Sequence, residues 1–579
     1  MPARSAKAHK PAPAASPVSL PAWFRPVLLA FAGIFLIGLF STEIADTDFW
    51  WHLRAGEFIV QHHALPVPDP FAYTTVMGHP QYSGEWTTRH FNLTHEWLAQ
   101  SIFYLVYRAT GFPGVVIFRA ILLMLFCAIA GLVAYRRCGG FYRGIAAAMA
   151  TASVATQFTS DRPFLFTFLF LAITVALLEY RRALWLLPPL FLVWGNCHGG
   201  FVMGWAVLVA YCGEAVYRFW RKAPAEGDQR LLGIAALSVL ASGINPNGFR
   251  VLEVLSYYQR SFMTSKLEEW GRPQFWPPKM FSILLALSAA VLAWAHRRVR
   301  PVDWLLFAAF AGACFTAERN VIWIAFLGPI LLATYLPWKR IVQPIVEVAA
   351  GVLLLSAFAT GIAHGSFFQL RTASWKFPAG AADFLLQHHV TQRMFNTYEY
   401  GGYLMWRLWP QERVFIDGRA LNESVFADYV RMLYNHDASG GMSATELLDH
   451  YGIQVIVMNG FEYVSGALYN LAPALADPKQ TEWALVYQDA QAVVFMRHPP
   501  PGVEPLNSLQ VFDHLEADCG THIQHDPRYP RCARSLAQAF TRIGEFQRAR
   551  RWLGIYLEHV HEADPEASDA YRKLLSSGQ

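Results

Sequence analysis

The chain has 579 residues, of which 54% are apolar, 15% aromatic and only 15% charged, with a formal net charge of +5. That charge is too sparse to coat one soluble globule of this size, which argues against a purely soluble enzyme and excludes disorder and collagen-like repeats. The basic residues sit in short clusters between apolar runs, the pattern of a polytopic membrane protein and not of a nucleic-acid binder.

In chain order, residues 1–22 are a basic Ala/Pro-rich leader with Arg4, Lys7 and Lys10. The apolar run 23–40 follows, with no clear small-residue cleavage site before Glu43, and reads as a retained signal anchor. Further apolar runs lie near 114–135, 142–158, 163–180, 184–198, 201–219, 230–245, 279–296, 302–317, 320–337 and 342–363. At 1.5 Å per residue against roughly 30 Å of hydrocarbon, they predict about eleven spans within a transmembrane unit 23–363.

With the N-terminus in the cytoplasm, every second loop is basic: Arg136, Arg137 and Arg143; Arg181 and Arg182; Arg218, Arg221 and Lys222; Arg297, Arg298 and Arg300; Lys339 and Arg340. The alternate loops, facing outward, hold Asp46, Asp48, Asp161, Arg162, Asn196, His198, Asn245, Asn247 and Arg319. Two of the outer loops are long. Residues 43–113 contain candidate surface helices at Phe49–Val60 and Trp97–Tyr107, and residues 245–279 carry Tyr257, Tyr258, Glu268, Glu269 and Trp270.

Beyond the last run the periodicity changes. Short β-type segments at 393–396, 413–416, 454–458, 483–487 and 492–496 alternate with helical patterns at 381–388 and 423–434, which predicts a small soluble α/β domain over 370–500. The Asp417-Gly418-Arg419 turn follows one of these strands, where open sheets place ligands; a structural Arg–Asp pair explains it equally well. In the tail, 505–579, Leu536, Phe540, Gly544, Phe546 and Ala549 are spaced as in one tetratricopeptide-like helical hairpin. Cys519 and Cys532 lie in this exported tail, so a disulfide is the natural reading. Zinc binding with His514, His522 and His525 is the alternative. The fold class is therefore mainly α: a membrane helical bundle, then a small α/β domain and a helical hairpin tail, all of the last two outside.

Asp46 and Asp48 stand at the exit of the first span. Two carboxylates two positions apart share a divalent cation, or one acts as base while the other orients it; acidic stabilisation of a helix start is the structural reading. The same outer face gathers Asp161, Arg162, His198 and Arg319, carboxylates together with phosphate-binding cations.

The run Asp46-Thr47-Asp48-Phe49-Trp50-Trp51-His52-Leu53-Arg54-Ala55-Gly56-Glu57, then Pro66-Val67-Pro68-Asp69-Pro70 and His95-Glu96-Trp97-Leu98, resembles the polytopic GT-C glycosyltransferases. Trp194-Gly195-Asn196-Cys197-His198-Gly199-Gly200, Glu318-Arg319-Asn320 and Phe415-Ile416-Asp417-Gly418-Arg419 resemble a bacterial branch of them. The resemblance covers roughly residues 20–363 and implies sugar transfer from a polyprenyl-phosphate donor to a glycan, lipid or protein acceptor, at the outer face of a bacterial cytoplasmic membrane. By the same implication Asp48 and Asp46 supply the base, Asp48 being preferred because it directly precedes the aromatic surface helix. His52, Arg54, Glu96, Asp161, Arg162, Asn196, His198 and Arg319 surround substrate and phosphate. Many mannosyl and arabinosyl relatives carry adjacent Asp-Glu instead, so the choice between Asp46 and Asp48 stays open, as does a divalent cation between them. A secondary transporter and a non-catalytic envelope assembly protein are the rival readings.

Overall fold

A computed structural model describes residues 21–225, 227–258, 260–266, 268–337, 344–419, 421–435, 441–463, 465–526, 530–560 and 563–576. The leader 1–20 and Lys339 and Arg340 lie outside the described residues. Each of the apolar runs is helical, beginning with Phe24–Phe40 and ending with Pro344–Ala363. By length and apolarity together, one helical stretch among the described residues, Glu85–Cys138, is sufficient to cross a membrane. Shorter apolar helices of 10–17 residues include Phe24–Phe40, Phe164–Tyr180, Met280–Trp294 and Pro301–Cys314. The long helix Trp97–Cys138 breaks its helical dihedrals at Gly111, where φ is 67°, two residues before Pro113. A glycine with positive φ followed by a proline explains why a surface helix and an apolar run meet there at an angle.

The charged ends of these helices segregate. At one end Arg137 holds Glu179 at 2.6 Å and Asp303 at 2.9 Å. Arg300 joins Glu179 at 3.0 Å and Glu214 at 3.5 Å. Arg218 links Glu214 to Asp228 at 2.6 and 2.7 Å, and Arg181 adds a contact to Asp228 at 2.9 Å. These residues close the C-terminal ends of Trp97–Cys138, Phe164–Tyr180 and Phe201–Trp220 and open Asp228–Ser242 and Pro301–Cys314. Arg162, His198 and Arg319 lie at the other ends of the same or neighbouring helices. An up-down bundle with one network at each end follows.

The long loop after the first helix is a structured bridge. Helices Phe49–His62 and Glu85–Thr94 fill it, and its backbone pairs in parallel with the C-terminal part at Ile44–Thr372 and Ala72–Val414. The C-terminal domain is built on a four-stranded sheet, β1 Met394–Asn396, β2 Val455–Met458, β3 Ala484–Gln488 and β4 Val493–Met496, in the order β1-β2-β4-β3. β1 and β2 run parallel; β4 is antiparallel to both β2 and β3. Alternate residues face opposite sides of a strand, and the core divides accordingly. Val455 and Val457 join the core that continues into the helical bundle, while Ile456 and Met458 join a second core shared with the tail. The sheet is thus the partition between bundle and tail.

The segment 413–416, expected as a strand, is not one. Val414 bridges only Ala72, and the Asn396 side chain takes the Phe415 N–H at 2.8 Å, so a side chain replaces the ladder that would have extended the sheet. In the tail, Arg531–Arg542 and Phe546–His559 pack as a hairpin turning at Gly544, where φ is 82°. Val511–His525 and Pro565–Ser576 flank them. Cys519 and Cys532 are bonded to each other with Cα atoms 5.7 Å apart. Their sulfurs are therefore not available to zinc, and the alternative zinc site falls. Reducing this bond is expected to cost the tail about 2–4 kcal/mol, mainly by releasing the unfolded chain. Limited proteolysis with and without reductant checks this, with faster cleavage within the tail, 505–579, as the expected result.

Candidate active site

Asp46 and Asp48 occupy the turn between the first helix and the surface helix Phe49–His62. The Asp48 N–H donates to Asp46 Oδ1 at 2.7 Å, and the Ser160 hydroxyl donates to Asp46 Oδ2. Asp48 Oδ2 lies 3.0 Å from Arg162. Arg162 reaches on to Glu269 at 3.1 Å, and Arg319 approaches the same carboxylate at 3.7 Å while lying 4.6 Å over the Trp270 ring. Charges of alternating sign thus run Asp48, Arg162, Glu269, Arg319.

The two aspartates differ electrostatically. Burial works to raise the Asp46 carboxyl, but Arg162, the Ser160 hydroxyl, the Asp48 N–H and Lys376 together hold it below the usual range. For Asp48 burial prevails over Arg162, with Asp46 and Glu269 adding to it, and pushes the carboxyl up to about 7. Environments that split a carboxylate pair in this way produce one ionised group and one that titrates near neutrality.

A cavity of about 640 Å³ opens beside them, lined by Asp46, His52, Glu96, Ser160, Arg162, His198, Glu269 and Arg319 among others. Its size suits a small-molecule site. One stretch of its wall is an aromatic cluster in which Phe158 and Phe164 pack against Phe168, and Phe168 against Trp323. Another stretch is polar, with Tyr258 donating to Asn92 at 2.5 Å and Ser261 donating to Glu423. Glu96 collects three imidazoles, His95 at 3.3 Å and His52 and His198 each at 3.6 Å. The His52 ring lies tilted by 35° against Trp51 with centroids 3.5 Å apart, and burial lowers it to about 3, which keeps the ring neutral.

Asp48 is not among the residues lining the cavity; its Oδ1 lies against Gly418. A Cβ at position 418 would stand 1.9 Å from Asp48 Oδ1, so only glycine permits this approach. The neighbouring Arg419 fixes the loop, gripping Asp69 at 2.7 and 3.0 Å and Asp417 at 2.7 Å while itself 4% exposed. The Pro66–Pro70 and Phe415–Arg419 motifs are therefore two halves of one lock that backs Asp48.

Three expected site residues lie elsewhere. Asp161 is fully buried and ion-paired with Arg119 at 2.5 Å, because Arg119 projects from the long helix into the same apolar interior and needs a counter-charge. Arg54 pairs with Glu57 at 2.5 Å and lies 4.8 Å over the Trp406 ring, tying the surface helix to the C-terminal domain. Asn196 takes the Trp97 indole N–H at 2.8 Å and donates to the carbonyls of Leu192 and Ile244, which joins three helix ends. None of the three lines the cavity. Nor do Asp46 and Asp48 fit a shared cation. Their oxygens are turned to separate protein donors, and among the described residues no group of three or more His, Cys, Asp or Glu is disposed to hold a metal.

Sequence reasoning passed over His95 although it adjoins Glu96 in a quoted motif, and it noted Glu269 and Trp270 without assigning them a role. Lys376, whose amino group burial pulls down against Asp46 and Glu399, carries no sequence signal beyond following the last apolar run.

No protein-family model matches the sequence, and no curated protein matches it. Solved structures do resemble it. The oligosaccharyltransferase of Archaeoglobus fulgidus, tethered to an acceptor peptide, aligns with a TM-score of 0.52 at 10% identity over 85% of this chain and 77% of that one. The AglB oligosaccharyltransferase of the same organism, in complex with an inhibitory peptide and a dolichol-phosphate, gives 0.49 at 11% identity over 85% and 77%. ArnT from Cupriavidus metallidurans in the apo state gives 0.41 at 14% identity over 82% and 97%. At these identities the likeness is one of fold alone, and the first comparison carries it: the chain shares the fold of that structure.

Proposed function

We propose that this chain is an integral-membrane glycosyltransferase that moves a sugar from a polyprenyl-phosphate donor to an acceptor hydroxyl at the outer face of a bacterial cytoplasmic membrane. The observation that carries the reading is the meeting of the Asp46 carboxylate with Arg162, His198 and Arg319 in one cavity. Fold alone does not give activity, but a neighbour that matches in fold, with a TM-score of 0.52, is an oligosaccharyltransferase.

In this reading Asp46 is the base, because geometry comes before pKa and Asp46 rather than Asp48 faces the cavity. The acceptor O–H gives its proton to the Asp46 carboxylate, and the freed oxygen pair attacks the anomeric carbon. The bond from that carbon to the phosphate oxygen breaks, and the phosphate leaves with the electron pair. Arg319 and His198 meet the departing charge, and Arg162, already held by Asp48 and Glu269, keeps its guanidinium at fixed depth. The aromatic wall at Phe158, Phe164, Phe168 and Trp323 suits the isoprenoid. The clustered carboxylates weigh against a purely structural assembly role. Purified protein should transfer labelled sugar from a polyprenyl-phosphate donor, and failure with a range of such donors would overturn the reading.

The topology belongs to the same proposal: about eleven crossings, N-terminus inside, residues 364–579 outside. Two end-networks on opposite sides of the bundle and a disulfide in the tail support it. Reporter fusions after Arg182 and after Arg371 are expected to report cytoplasm and exterior respectively; one shared location contradicts it.

A further inference from the structure

Thr167 lies in the first turn of the helix Phe164–Tyr180 and is 1% exposed. Its hydroxyl oxygen takes the Trp194 indole N–H at 2.9 Å. It also stands 2.9 Å from His198 Nδ1. The same Nδ1 also receives the Gly200 backbone N–H, again at 2.9 Å. A backbone N–H can only donate, so His198 Nδ1 must be a bare acceptor. The Thr167 hydroxyl, its oxygen already accepting from Trp194, then turns its own proton to the same nitrogen.

The consequence is at the far side of the ring. With Nδ1 bare, the neutral imidazole carries its proton on Nε2. His198 and Glu96 both line the cavity, and Glu96 Oε1 stands 3.6 Å from Nε2, beyond a normal hydrogen bond. The arrangement also accounts for the second glycine after His198. A Cβ at position 200 would meet Thr167 Oγ1 at 2.6 Å and His198 Nδ1 at 2.8 Å, so a side chain there would push the amide off the ring.

We propose that Thr167 is a positioning residue: with Trp194 and the Gly200 amide it locks His198 as the Nε2–H tautomer, a neutral donor to an anionic oxygen of the donor's phosphate. The inference rests on the glycosyltransferase reading for the identity of that phosphate. It does not require His198 to give up its proton; the N–H only hydrogen-bonds the oxygen that gains charge as the glycosidic bond breaks. A tautomer fixed by the partner of the other nitrogen is the general way a protein aims one imidazole N–H.

The test uses the full-length protein, purified and folded. Thr167→Val removes the hydroxyl at constant shape and Thr167→Ser keeps it. His198→Gln places an amide N–H near the Nε2 position, whereas His198→Asn places it near Nδ1. Thr167→Val and His198→Asn are expected to lose about 10- to 100-fold in kcat at similar thermal stability, the scale of one hydrogen bond to a charged group. The Ser and Gln variants are expected to recover most of that loss. Equal losses in His198→Gln and His198→Asn, or full activity of Thr167→Val, would overturn the proposal.

A second arm separates it from the reading it rests on. In protein with ¹⁵N-labelled histidine rings, His198 should show bare Nδ1 and protonated Nε2, and the Nε2 resonance should move when a short polyprenyl phosphate is added. That movement without any sugar transfer would sustain the donor and remove the transferase. Transfer without that movement, or a proton found on Nδ1, would remove the donor alone.

Discussion

Asp46→Asn is expected to lower turnover by about 10² to 10⁴, the usual scale for loss of a general base. The amide keeps the shape of the carboxylate and can still meet the Asp48 N–H and the Ser160 hydroxyl, so the fold should hold and the loss should fall on kcat. Asp48→Asn acts differently. Asp48 pairs with Arg162 and does not line the cavity, so its loss should be smaller and fall partly on donor affinity. The pH dependence tells the two apart. Because Asp48 is pushed up to about 7, it exists as the acid below that pH and as the Arg162-pairing carboxylate above it. The wild-type pH–rate profile should therefore carry a limb near 7 that Asp48→Asn abolishes. Asp46, held below the usual range, is ionised throughout this interval and contributes no limb there. If Asp48→Asn proves the more damaging and Asp46→Asn the milder, the roles assigned to them are exchanged.

The second large effect is on stability. Asp161→Asn leaves the Arg119 guanidinium charged, fully buried and without its counter-charge, which is expected to cost about 3–5 kcal/mol. Arg119 also donates to the carbonyls of Phe40 and Thr42 at the end of the first helix, so Arg119→Ala should cost at least as much by orphaning those oxygens together with Asp161. Thermal unfolding in detergent should show both losses, with an unchanged donor KM in the protein that remains folded. An unaltered unfolding temperature combined with a raised KM would return Asp161 to the substrate.

That pair shows where sequence reading stopped. Asp161 and Arg162 are adjacent, of opposite charge and in the same interhelical loop, yet one points into the bundle and one into the cavity. The direction is set by Arg119, forty-two positions earlier in a different helix, whose buried charge claims Asp161. No local pattern records such a claim. The apolar runs were legible because burying a helix against other helices needs an almost continuous apolar surface, and each run is a helix in the structure. The motifs were legible as units and not in their roles. In Trp194–Gly200 the indole serves Thr167, Asn196 joins helix ends, and only His198 and the two glycines after it line the cavity. The segment 413–416 misled because its β-branched and aromatic residues suit a strand, while the pairing position beside β1 was taken by the Asn396 side chain. Thr167 was invisible because a threonine in an apolar helix carries no signal until its partners are in place.

The most direct test of the account is sugar transfer by the purified wild-type chain set beside the Asp46→Asn/Asp48→Asn double variant, both folded, with a labelled polyprenyl-phosphate sugar as donor. The account predicts transfer by the wild type and loss of at least the roughly 10²-fold expected of a missing base in the double variant. Full activity in the double variant would contradict it.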